Sequence, residues 1–152
     1  IQHMIYLYNY AGQPWKTQYW IRETMNRLYA AKPDGYCGDE DNGQTSAWYV
    51  FSAMGFYPVC PATEQYVLGS PYFKKMTIHL ENGNDIVIDA EENSEENKYV
   101  DQLEMNGEVY TKNWLNHFEL MKGVQLDFKM QSVPNKTRGT SEEAYPYSLS
   151  NE

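Results

Sequence analysis

At 152 residues the chain has the length of one ordinary domain, and 21 acidic against 12 basic residues give it a formal net charge of −9. An isoelectric point near 4.8 argues against nucleic acid or an anionic membrane surface as partner. No apolar run approaches the ~20 residues of a membrane span, and no basic stretch followed by an apolar one marks a secretory leader.

In chain order, residues 1–62 have helical periodicity. Ile1, Met4, Ile5 and Tyr8 follow the i, i+3, i+4, i+7 spacing of a one-sided helix, which Ala11-Gly12 ends. Pro14 suits the first position of a second helix, where its missing N–H costs nothing. Ile21, Met25 and Leu28 extend that helix's apolar stripe until Lys32-Pro33-Asp34-Gly35 breaks it. Ala47, Trp48, Phe51 and Met54 predict a third helix over 45–54. Gly55 is placed for a left-handed C-cap, and Pro58 and Pro61 bar a simple restart.

The period then changes to two. Met76, Ile78 and Leu80 alternate with Lys75, Thr77 and His79, and Ile86 and Ile88 resume the alternation after Asn82-Gly83, a hairpin signal. Glu91 to Asn97 is a polar connection, Tyr99 to Met105 a further strand, and Asn106-Gly107 a second turn. Val124, Leu126, Phe128 and Met130 predict a last strand. From Pro134 onward apolar periodicity fades, which predicts a tail that wraps the surface or is disordered. The order of elements is α+β: helical over 1–62, an antiparallel β segment over 63–133, an irregular tail over 134–152.

Asp39, Glu40 and Asp41 form an acidic run inside a glycine-flanked loop, where it becomes the third helix. Two readings fit. Asp41 or Asn42 can be an N-cap, its side-chain oxygen accepting an orphan N–H, while the other acids complement the helix dipole. Alternatively, Asp39 and Asp41, two apart in an extended loop, face one side as a water-activating pair, with Glu40 pointing away as a solvated charge. An EF-hand loop is excluded: counted from Asp39, its fifth, sixth and twelfth positions hold Gly43, Gln44 and Val50.

The run GDEDNGQTSAWYVFSAMGFYPV resembles the signature of glycoside hydrolase family 92. The segments YLYNYAGQPWKTQYWIRETMNRLY at 6–29 and QYVLGSPYFKKMTIHLENG at 65–83, with its GSP step at 69–71, resemble the same family. MNGEVYTKNWLNH and MKGVQLDFKM fit it less tightly. Members are calcium-dependent, inverting exo-α-mannosidases several times longer than this chain. The resemblance therefore implies the last helices of an (α/α)6 barrel followed by a small antiparallel β segment, with the general-acid glutamate upstream and missing. A start at Ile1, inside a predicted helix, agrees with such truncation.

The resemblance further implies that Asp41 is the principal general base and that Asp39 assists it. It also implies that Trp15, Tyr36 and Gln44, in or near the matched segments, line the sugar pocket, with a helix-packing aromatic as the stronger reading of Trp15, and that calcium is held by groups drawn largely from upstream. The substrate implied is a mannose-containing oligosaccharide or N-glycan, met in the periplasm or outside the cell. The isolated chain is expected to be inactive. Helical faces left without barrel partners predict self-association. A second reading, a non-catalytic carbohydrate-binding or structural β module, follows from the self-sufficient strand pattern.

Most of the 14 Tyr and 4 Trp are read as core material, and Cys37 and Cys60 as free thiols. His3 is read as an ordinary polar helix position, His79 and His117 as structural or exposed. Asn135-Lys136-Thr137 fits the glycosylation pattern, a weak signal.

Overall fold

The first segment winds more tightly than its apolar spacing predicts. Met4–Asn9 is a 3₁₀ helix, in which residues three apart eclipse one another. Tyr6 and Asn9 are therefore buried together, while Met4 and Leu7 are both about half exposed. The computed structural model describes residues 2–151, so Ile1 of the predicted stripe lies outside the described residues.

Helix α1, Pro14–Leu28, begins on its proline as expected. Its buried face is Thr17, Gln18, Ile21, Arg22 and Met25, whereas Leu28, predicted for the stripe, is exposed. Polar side chains are tolerated inside because each finds a partner. Thr17 donates to the Ile5 carbonyl at 2.9 Å, Asn9 donates to Thr17 Oγ1 at 3.1 Å, and Gln18 accepts the Val100 N–H at 3.1 Å. A turn closed by Ala30 N–H on the Gly35 carbonyl (2.9 Å) leads on to the acidic loop.

Helix α2, Gln44–Met54, ends on Gly55 at φ 100°, the left-handed cap predicted, whose N–H reaches the Phe51 and Ser52 carbonyls. Trp48 is buried, donating to the Gln2 carbonyl at 2.9 Å and stacking on Tyr29 at 5.6 Å. Ala47, expected on the same face, is exposed, and Thr45, Ser52 and Ala53 are buried instead. Burial of a large side chain such as Ile21 is worth about 1.5–3 kcal/mol. Tyr6, Ile21, Met25, Trp48 and Ala53 make one core together with Val67 from the β region.

The strands are β1 (Phe56–Tyr57), β2 (Gln65–Leu68), β3 (Lys75–His79), β4 (Asp85–Asp89), β5 (Tyr99–Met105), β6 (Glu108–Val109), β7 (Trp114–Asn116) and β8 (Val124–Gln131), with a short helix α3, His117–Leu120, before β8. They form a three-stranded sheet, β1-β2-β7, and a five-stranded sheet, β3-β4-β8-β5-β6. The β3–β4 hairpin has the predicted register, Met76 opposite Ile88 and Ile78 opposite Ile86. Asn106 and Gly107, at φ 53° and 82°, make the second predicted turn.

The expected all-antiparallel arrangement fails at one pair. β4 and β8 run parallel, so the larger sheet is mixed. Three strands and α3 lie between them in sequence, and no tight turn dictates their relative direction. Val124, Leu126, Phe128 and Met130 of the central strand β8 all point into the second core, with Ile86, Ile88, Val100 and Leu103.

Residues 135–145 lie against the folded body. Asn113 donates to the Gly139 carbonyl at 2.7 Å and, through its backbone, to the Ala144 carbonyl at 2.8 Å. Arg138 donates to Asn113 Oδ1 and to the Tyr110 and Lys112 carbonyls. Tyr145 packs over Gly12, between the first two helical segments. Asn135 accepts from Thr137 and Arg138 and donates to Asp101, closing a local turn.

Candidate active-site loop

The acidic run is bound by its main chain to the first turn of α2. Thr45, which is buried, donates its N–H to the Glu40 carbonyl and its hydroxyl to the Asp39 carbonyl, both at 3.0 Å. The Gln44 N–H reaches the Asp41 carbonyl at 3.3 Å. All three acids thus have their backbone fixed at the positive end of a helix, where negative charge is favoured.

The loop is not extended through Asp41. Asp41, Asn42 and Gly43 follow one another at φ 58°, 55° and 98°, a left-handed turn that Asp and Asn tolerate better than most residues. The alternation argument for Asp39 and Asp41 sharing a side therefore loses its geometric basis. The N-cap position belongs to Gly43, not to Asp41 or Asn42.

Glu40, read from sequence as a solvated charge, supplies the cap. Its carboxylate accepts the Gly43 N–H, the Ser46 hydroxyl at 2.6 Å and the Ser46 N–H at 3.3 Å. The Ser46 hydroxyl first, and the Gly43 amide second, hold its carboxyl below the ordinary value of 4.5. The arrangement inverts the usual capping box: the acid stands before the helix and the serine within its first turn. The Asn-Gly step, a strong left-handed turn signal, was the clue in the sequence. Asp39 and Asp41 are exposed, and among the described residues no hydrogen bond or ion pair engages either carboxylate.

A cleft of about 870 Å³ opens between α1, α2 and the loops at 72–74 and 93–95. Tyr36, Tyr29, Tyr49, Tyr72 and Phe73 line it, with Ser46 linking its wall to the Glu40 cap. Of the three predicted sugar-contacting residues only Tyr36 faces this cleft. Trp15 is half-buried near the start of α1, and Gln44 is exposed, donating to Gln2 at 3.3 Å. Neither Asp39 nor Asp41 lines the cleft.

Tyr29 packs against Tyr36, Trp48 and Tyr49, but of the tyrosines and tryptophans only Tyr6 and Trp48 are fully buried, and most of the rest are partly buried rather than core. His3 is exposed ahead of the first segment, His79 contacts Asp85 at 2.7 Å on the surface, and His117 meets the Tyr66 hydroxyl at 3.0 Å. Cys37 and Cys60 are free thiols.

The model of the glycosyl hydrolase family 92 catalytic domain matches residues 1–132. The chain is 55% identical to the family GH92 inverting mannosidase BT2199 of Bacteroides thetaiotaomicron VPI-5482, covering 99% of this chain and 20% of that one at a TM-score of 0.94. It is 43% identical to the family GH92 α-mannosidase BT3965 of Bacteroides thetaiotaomicron, covering 97% and 20% at a TM-score of 0.94; that protein has also been solved with mannoimidazole. An uncharacterized secreted glycosidase of Arthroderma benhamiae is 26% identical over 147 residues, 95% of this chain and 19% of the relative. The chain thus spans about a fifth of the length of these relatives. Carried by a match over most of its length, the chain belongs to glycosyl hydrolase family 92.

Proposed function

We propose that this chain is the C-terminal part of an exo-acting α-mannosidase that inverts the anomeric centre, and that it supplies the general base. The observation that carries the reading is the acidic loop, anchored through its backbone to α2 while the Asp39 and Asp41 carboxylates stay exposed. In the reaction, Asp41 takes a proton from water as that water attacks the anomeric carbon, and Asp39 orients the same water. An acid supplied by the rest of the enzyme protonates the leaving oxygen. The two carboxyls of an inverting pair stand about 6.5–9.5 Å apart to admit the water.

The helices of residues 1–62 belong, in this reading, to the end of an (α/α)6 barrel. Trp15, Tyr36 and Gln44 contribute to the sugar pocket, and the substrate is a terminal α-mannoside of an oligosaccharide or N-glycan. The mannosidase relatives, one bound to mannoimidazole, support that substrate class. The relative described as secreted supports action outside the cell or in the periplasm. Calcium, bound to sugar hydroxyls, would act as a Lewis acid. Its ligands would be drawn largely from the rest of the enzyme; among the described residues no group of three or more His, Cys, Asp or Glu could hold a metal ion.

The test is turnover of α-linked mannobiose by the enzyme carrying this chain, followed by NMR with calcium and with chelator. Release of β-mannose and a fall in kcat of at least ~10²-fold in Asp41→Asn are expected. Near-normal turnover in that variant rejects the base assignment. Calorimetric binding of mannose by the isolated chain without turnover in the parent would favour the carbohydrate-binding module instead.

A further inference from the structure

We infer that Glu40 is the positioning residue of the base loop: its side chain, bonded to Gly43 and Ser46, locks the left-handed turn that carries Asp41 and keeps the flanking aspartates turned outward. The inference rests on the assignment of Asp39 and Asp41 as the base pair.

Three observations lead to it. Asp41 and Asn42 occupy a backbone region that costs non-glycine residues free energy, and such a turn persists only when its surroundings over-determine it. The surroundings here are few. Thr45 and Gln44 hold the carbonyls of Asp39, Glu40 and Asp41, and Glu40 is the acid whose side chain folds back onto the helix. From the residue before the turn, its carboxylate reaches two points after it, accepting the Gly43 N–H on one oxygen and the Ser46 N–H and hydroxyl on the other. Glu40 touches no reacting atom. It acts on where the Asp41 carboxylate stands, and a misplacement of ~1 Å in a base can cost ~10²-fold in rate.

Glutamine at this position sets an NH₂ donor against either the Gly43 N–H or the Ser46 N–H and removes the charge that strengthens every bond of the clasp, so one backbone arm is lost even where the Ser46 hydroxyl turns to accept. Alanine at Ser46 removes the strongest arm, and threonine keeps it. A merely structural role predicts a lowered melting temperature, whereas a positioning role predicts a selective loss of kcat.

The experiment compares Glu40→Gln, Ser46→Ala, Ser46→Thr and Asp41→Asn in the enzyme that carries this chain, with α-linked mannobiose as probe. Expected are a fall in kcat of about 10- to 100-fold for Glu40→Gln at unchanged KM and melting temperature, a smaller fall for Ser46→Ala and near-full activity for Ser46→Thr. Amide exchange in the peptide covering residues 38–47 should quicken in Glu40→Gln alone of the acid variants. If Asp41→Asn is inactive while Glu40→Gln keeps its kcat, the inference is overturned and the base assignment stands. If Glu40→Gln loses activity together with melting temperature, a general structural role replaces it. If Asp41→Asn turns over normally, both assignments fall.

Discussion

Arg22 on α1 and Asn93 in the β4–β5 connection are joined by a 2.7 Å hydrogen bond that ties the helical part to the larger sheet. The same guanidinium donates to the Pro71 carbonyl at 3.0 Å and the Ser94 carbonyl at 2.9 Å, with its central carbon 4.9 Å from the centre of the Tyr72 ring. Burial pushes its pKa down, so the charge is held inside by these acceptors and by the ring.

Arg22→Met should therefore lower stability by about 2–4 kcal/mol, because it strands two buried acceptors, the Pro71 carbonyl and the Asn93 amide oxygen. Arg22→Lys should restore little, since one ammonium cannot span the positions of a planar fork. Urea unfolding followed by tryptophan fluorescence measures both. A midpoint unchanged in Arg22→Met would rule out this junction as a main tie.

Gly139 sits at φ 69°, and an added Cβ would overlap the buried Asn113 amide. Gly139→Ala should destabilise the chain by about 1–3 kcal/mol and release residues 139–147 to exchange before the sheets open. Exchange rates in that segment equal to those of the parent would show that it contributes nothing to the fold.

Glu40 makes the loop sensitive to acid. Its folded pKa lies below 4.5, the depressed-carboxylate case, so its contribution is complete above 4.5 and is lost as pH falls through the lower folded value. Amide protection at Gly43 and Ser46 should be constant from neutral pH down to 4.5, then decline. NMR exchange measurements that show the decline beginning near neutrality would point to another group.

Met4, Leu7, Trp20 and Leu28 are each about half exposed on the helical segments. The chain on its own should self-associate through these faces, and Leu7→Glu with Trp20→Glu should shift it towards monomer. Sedimentation velocity across a concentration series decides: a sharp monomer peak at every concentration sinks the prediction.

The candidate site was only partly legible in the sequence. The acidic run and its junction with a helix could be read from Gly35 to Pro58, and the family resemblance from that stretch together with residues 6–29 and 65–83. Which acid turned inward could not, because the left-handed turn at Asp41-Asn42-Gly43 reverses the assumption of extended alternation. Capping preference named Asp41 or Asn42, yet the side chain long enough to reach both Gly43 and Ser46 from before the turn is Glu40.

Local physics explains what the sequence by itself determined. The β3–β4 hairpin, the inward alternation of β8 and the Gly55 cap depend on residues close in the chain, through a period of two or one backbone angle. Tertiary structure decided the rest: the parallel pairing of β4 with β8, the burial of Arg22 rather than Leu28, and the docking of residues 138–147 onto Asn113 and Gly12. Each depends on partners distant in sequence, whose hydrogen bonds make a buried polar group or an unforced strand direction favourable, and no local pattern encodes such a partner.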